Sequence, residues 1–103
     1  MVNDTRLAFQ ATLEELLGSE HVYFQPPESV RLEYPCIVYK YEAGYYNHAD
    51  DYLYTFKPRY QVTLIDPNPD SEIFDRLLLL RYCNFDRHYT SHNLNHFVFR
   101  IYM

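Results

Sequence analysis

His88, His92 and His96 recur four residues apart. On one helix that spacing would stack three imidazoles in a row and offer them to a metal ion. Thr90, Ser91 and Asn93 lie between them, however, and an apolar–polar alternation starts after Leu94. That pattern predicts a hairpin, on which a spacing of four aligns nothing. The Glu that accompanies the first His of a zinc-protease helix is also missing beside His92. These histidines are expected to be solvated or hydrogen-bonded, and a small metal-binding cytosolic protein is kept as an alternative reading.

Asp66, Asp70, Glu72 and Asp75 gather around one segment, and Pro69-Asp70 invites comparison with PD-(D/E)xK nucleases. That chemistry needs a lysine shortly after a second carboxylate, and the two lysines, Lys40 and Lys57, both lie upstream. Acids at a helix start are expected for capping and for the helix dipole. The two cysteines, Cys36 and Cys83, form no Cys-x-x-Cys pair and match no local Cys–His signature. They are expected to be buried, inert thiols. No catalytic residue, no cofactor and no metal ligand is therefore predicted, and the chain is read as a non-enzyme.

The 103 residues suit one domain, residues 1–103, with a modest core. The net charge of −5 argues against coating nucleic acid, which needs cations to displace phosphate counterions. The apolar run at 77–80 is far short of the roughly 18 residues of a membrane span. The first residues lack a basic-then-apolar export signal, so a cytosolic site of synthesis and no membrane association are expected. With two glycines, the chain has no Gly-rich phosphate loop. Twelve tyrosines and seven phenylalanines, with no tryptophan, favour half-buried surfaces, such as strands and subunit contacts.

The elements that would carry these residues follow from periodicity. Residues 4–17 read as a helix, with Phe9, Leu13, Leu16 and Leu17 on one face, Asn3 or Asp4 as cap and Gly18 as stop. A short strand at 21–25 ends at Pro26-Pro27, and a second spans 34–41. Residues 42–51 read as a polar, acidic loop bearing tyrosines. Residues 52–66 then alternate: Tyr52, Tyr54, Phe56, Tyr60, Val62 and Leu64 share one parity, while Leu53, Thr55, Lys57, Arg59, Gln61 and Thr63 share the other. Pro58 marks an edge or a bulge, so this strand is expected to project as a hairpin arm. A second helix starts near Asn68 or Asp70 and buries Ile73, Phe74, Leu77, Leu78 and Leu80. Strands at 85–89 and 94–102 flank a turn at 90–93. The fold class is α+β: two helices packed on one face of a mostly antiparallel sheet, order α-β-β-β-α-β-β.

Several strings bring a family into view: VYFQPPE at 22–28, YPCIVY at 34–39, RYQVTLID at 59–66, PDSEI at 69–73, NFDR at 84–87 and NLNHFVF at 93–99. With the N-terminal helix, they make the chain resemble the tail terminator (tail completion) proteins of tailed bacteriophages, especially minor-tail forms from long noncontractile tails. The resemblance implies a virion protein of the tail or neck, assembled in the host cytoplasm. Such proteins form a six-membered ring on the head-proximal end of the tail tube. The ring ends tube polymerisation and presents a docking surface to the head connector or stopper. Its partners would be further copies of itself, the tail tube protein and the connector. DNA would pass through the lumen without specific binding, which a negative chain suits if acids line the channel. Another neck protein, a stopper or head-completion subunit, is the nearest alternative. The expected interface is Tyr45, Tyr46, Asn47, His48, Asp50 and Asp51, with Tyr52 and Tyr54 at the start of the following strand, because aromatic residues on a polar segment favour contact.

Overall fold

The computed structural model describes the backbone of residues 2–49 and 52–102 and the side chains of residues 6–42 and 59–102. Helix α1 (Val2–Leu17) is followed by strands β1 (Val22–Phe24), β2 (Cys36–Ala49) and β3 (Tyr52–Asp66). Helix α2 (Glu72–Leu78) and strands β4 (Cys83–Ser91) and β5 (Leu94–Tyr102) complete the α-β-β-β-α-β-β order predicted from the sequence. The five strands form one sheet in the order β1-β2-β3-β5-β4. All neighbours are antiparallel except β1 and β2, which run parallel.

Both helices pack on one face, as expected. Phe9, Leu13 and Leu17 of α1 and Leu77 of α2 close over Ile37, Tyr39, Tyr60, Val62, Leu64, Phe97, Phe99 and Ile101. Strand alternation puts these sheet residues on one side, and helical spacing puts the helix residues opposite them. Gly18 adopts φ +83° and ends α1 with its N–H on the Glu14 carbonyl at 2.8 Å. A side chain would resist that left-handed geometry.

Several element boundaries differ from the sequence reading. Helix α1 already includes Asn3 and Asp4, so neither is its cap. Ser71 caps α2, its Oγ accepting from the Ile73 N–H at 3.2 Å. Asn68 and Asp66 instead build the approach, each side-chain oxygen accepting the N–H two residues on. Leu78 is exposed, because the short α2 buries only the Leu77 side of its turn completely. The last hairpin turns on two residues, His92 and Asn93, both with positive φ, so β4 (Cys83–Ser91) is longer than the predicted 85–89, while β5 keeps its expected bounds.

The largest difference is at residues 42–51. The predicted loop is strand: β2 continues to Ala49 and pairs with β3 down to Tyr52. Glu42, Gly44 and Asn47 have weak strand propensity, but a tyrosine-rich partner strand supplies the ladder that overrides it. Only positions 50 and 51 separate the two strands. β5 pairs with β3 no further than Arg59, and β1 pairs with β2 no further than Tyr39. Residues 43–49 and 52–58 therefore form a two-stranded arm beyond the sheet, as the projection of β3 predicted. At about 3.3 Å per residue, the fifteen residues of β3 account for roughly 50 Å, which matches the 50 Å long dimension of the molecule.

Candidate assembly surface

Of the expected interface residues, Tyr45, Tyr46, Asn47, His48, Tyr52 and Tyr54 fall on this arm. Register pairs Tyr45 with Lys57, Tyr46 with Phe56, Asn47 with Thr55, His48 with Leu53 and Ala49 with Tyr52. Asp50 and Asp51 lie outside the described residues. The register shift between Asn47 and His48 leaves Tyr54 without an opposite residue, a β-bulge. It interrupts the strict alternation read from the sequence, so Tyr52 leaves the register row that Phe56 and Tyr60 share. Pro58 stands opposite Gly44, one residue past the end of the β5 ladder, which is the edge position its missing N–H predicts.

An aromatic plug roots the arm. Phe9 stacks on Tyr60 at 4.9 Å between centroids and meets Tyr39 edge-on at 5.5 Å. Tyr41 and Phe24 extend the cluster outward, and the Arg6 guanidinium sits 4.4 Å over Phe24. The Tyr39 hydroxyl donates to Gln10 Oε1 at 2.6 Å and accepts from Arg6 at 3.3 Å. Gln10 also donates to the Val22 carbonyl, tying α1 to β1. Tyr60 differs. Its hydroxyl is enclosed and makes no hydrogen bond of ordinary geometry. Burial first, and then the neighbouring Tyr41, hold its phenol well above the usual tyrosine value.

The other face of the sheet carries no helix, and its charges are arranged around two more bulges. Glu42 on β2 and Asp86 on β4 are each skipped by the register. Glu42 Oε1 accepts from Arg100 at 2.8 Å and pairs with Arg59 at 3.0 Å. Asp86 pairs with Arg100 at 3.2 Å and with Arg87. Arg59 also donates to the Tyr102 hydroxyl at 3.3 Å. The hydrogen bond that Arg100 donates to Glu42, followed by the charges of Glu42 and Asp86, raises the Arg100 pKa further, which fixes it as a permanent cation. Sequence reasoning missed this cluster, since Glu42 and Arg100 are 58 residues apart. The sequence signal was Arg59, on the parity opposite Tyr60, Val62 and Leu64.

The groups first suspected of chemistry do not converge. His88 contacts Asn95 Oδ1 at 3.1 Å and lies against Phe97 on the helix-covered face. His92 sits in the turn with Ser91 Oγ at 2.9 Å. His96 stacks on Tyr89 across the opposite face. Among the described residues, no three His, Cys, Asp or Glu side chains are placed to hold a metal ion. Cys36 is buried as expected, while Cys83 is only half-buried. Desolvation pushes their thiols up to about 12 and about 11, which leaves little thiolate at neutral pH. No helix of the described residues is long and apolar enough to cross a membrane.

No protein-family model, no curated protein and no solved structure matches this chain. Its architecture is what remains to read. A polar cleft of about 340 Å³ lies between the end of α1 and the start of α2, lined by Asp66, Asn68, Asp70 and Glu72. Asp66 and Asn68 each hold a side-chain oxygen in a turn there, and Ser71 caps α2. The arm and the charged sheet face are left as the features that a folded monomer does not itself require.

Proposed function

We propose that this protein is a structural subunit of a tailed-phage virion, forming a ring, of six copies by the family resemblance, on the head-proximal end of the tail tube. The ring would end tube polymerisation and offer the head connector its docking surface. DNA would cross its lumen without specific contact. The protein acts by shape and association and makes or breaks no bonds.

The observation that carries this reading is the arm. A two-stranded ribbon is marginal in water by itself. Here about seven residues of each strand extend past every neighbouring strand, with both backbone edges open. Such an element is stabilised by a partner, and the tyrosines along it (Tyr45, Tyr46, Tyr52 and Tyr54) are the residue type most suited to contact. A closed ring needs one patch to meet a different patch on its neighbour, and an arm reaching beyond its own sheet can serve that end. The resemblance of several strings to tail terminators supports a phage tail as that assembly.

The test is a phage carrying Tyr45→Ala and Tyr46→Ala, imaged for tail length and scored for infectivity. Overlong tails and lost infectivity are expected. Tails of normal length on heads that leak DNA would move the subunit to the stopper position. Normal particles would overturn the reading.

A further inference from the structure

The helix-free face differs in charge from the rest of the molecule. Its register rows hold Lys40, Arg59, Arg87 and Arg100 against Glu42 and Asp86. Four cations facing two acids give this face a net charge of +2, in a chain whose net is −5. Setting those six aside, the sequence holds five further cations and twelve further acids, a balance of −7. On the helix layer, Glu15, Asp70, Glu72 and Asp75 are exposed, and the ion pair found there, Arg76 with Glu72, is loose at 3.8 Å.

We propose that the helix-free face of the sheet is a docking surface for the acidic helix layer of a second copy of this chain, joined head to tail. The proposal rests on the ring reading above and deepens it by naming two surfaces that meet. The bulges at Glu42 and Asp86 favour a protein partner over a nucleic acid. They set carboxylates among the arginines, where a phosphate backbone would meet repulsion but a mixed protein surface finds both donors and acceptors. Complementary faces on opposite sides of one subunit make a heterologous contact, which closes into a ring when its rotation allows. Such a contact also covers this basic face, which suits passage of DNA past the assembled surface.

Charge reversal tests it. One variant carries Lys40→Glu with Arg87→Glu, the other Glu72→Lys with Asp75→Lys, each checked for wild-type circular dichroism. Self-association is followed by light scattering up to about 1 mM subunit, a dissociation constant at the weak end of specific binding. Wild type is expected to associate, and to associate more weakly as salt rises. Each variant alone is expected to lose at least tenfold in affinity. Mixing the two is expected to restore association, since each supplies the surface that complements the other's. Association of either variant at wild-type strength, no recovery on mixing, indifference to salt, or a wild type that stays monomeric would each overturn the proposal. So would a single-stranded oligonucleotide that binds wild type and is lost with Lys40→Glu and Arg87→Glu. The salt series on wild type decides the matter even if a variant misfolds. An intact ring built through other surfaces would end this proposal while leaving the tail-length test of the function untouched.

Discussion

Tyr39 and Tyr60 offer a paired test of the plug at the base of the arm. Both rings are fully buried, 5.7 Å apart, and both pack on Phe9. They differ in what their hydroxyls do. Tyr39 has Gln10 at 2.6 Å and Arg6 at 3.3 Å, whereas the Tyr60 hydroxyl makes no hydrogen bond of ordinary geometry and has the Tyr41 side chain beside it. Replacing Tyr39 with Phe removes two hydrogen bonds and should cost about 1–2 kcal/mol. Replacing Tyr60 with Phe keeps the ring and removes a buried hydroxyl that is destabilising by about 1–3 kcal/mol when unpaired, less the small void it leaves. Y60F should therefore stabilise the protein by about 1 kcal/mol, and the two variants should separate by about 2–3 kcal/mol. In a domain of this size, each 1 kcal/mol moves Tm by about 4–8 °C. Urea unfolding followed by circular dichroism reads the difference, with an unchanged m value showing that the folded and unfolded states are otherwise comparable. Equal losses in the two variants would mean that the Tyr60 hydroxyl is satisfied, and would refute this reasoning.

Three further outcomes are expected. Cys36 and Tyr60 both have folded pKa values raised by burial, so the fold favours their neutral forms. That stability is complete below their ordinary values of 9.0 and 10.0 and is lost as pH climbs through the folded values. The urea midpoint should hold steady below pH 9.0 and fall above it, and Y60F should fall less steeply; a midpoint that rises in alkali would contradict the burial. Leu77→Ala should cost about 2–5 kcal/mol and Leu78→Ala less than about 1 kcal/mol, because the first side chain is enclosed and the second is not. At the β4–β5 turn, His92→Asn combined with Asn93→Gly should gain about 0.5–1 kcal/mol by fitting the positive φ values, read from thermal melting, and a loss would mean that the His92–Ser91 contact outweighs them.

The fold was largely legible because its signals are local. The helical spacing of Phe9, Leu13 and Leu17, the alternation through Tyr60, Val62 and Leu64, and the apolar row Phe97, Phe99 and Ile101 each follow from a single period, and all nine residues are buried together. What escaped depends on partners distant in sequence. Residues 42–49 read as loop because Glu42, Gly44 and Asn47 are poor strand formers, and nothing in their own string reveals the β3 ladder beside them. The cap moved to Ser71 because three acceptable capping residues stand within four positions, and only the direction of the chain entering α2 chooses among them. Of the assembly surface, the tyrosines were visible but the clasp around Arg100 was not. Its members come from three strands, and two of them sit at bulges that no alternation announces.

Those bulges connect the two halves of the molecule's surface. An antiparallel ladder without them would put successive residues strictly on alternate faces. The extra residue at position 42 lets an acid join Arg59 and Arg100 on the helix-free face while Tyr41 stays with Tyr60 on the other. The extra residue at position 86 does the same on the exposed edge strand, keeping Phe85 against Phe74 and Phe99 while Asp86 reaches Arg100. Bulges and charges also discourage an edge strand from pairing indiscriminately with other chains. The β4 edge is thus guarded, whereas the arm, whose edges carry neither a neighbouring strand nor the Glu42–Arg100–Asp86 clasp, is left open. On the ring proposed above, such a subunit would resist random strand addition along its body and would direct association toward the arm and the charged face.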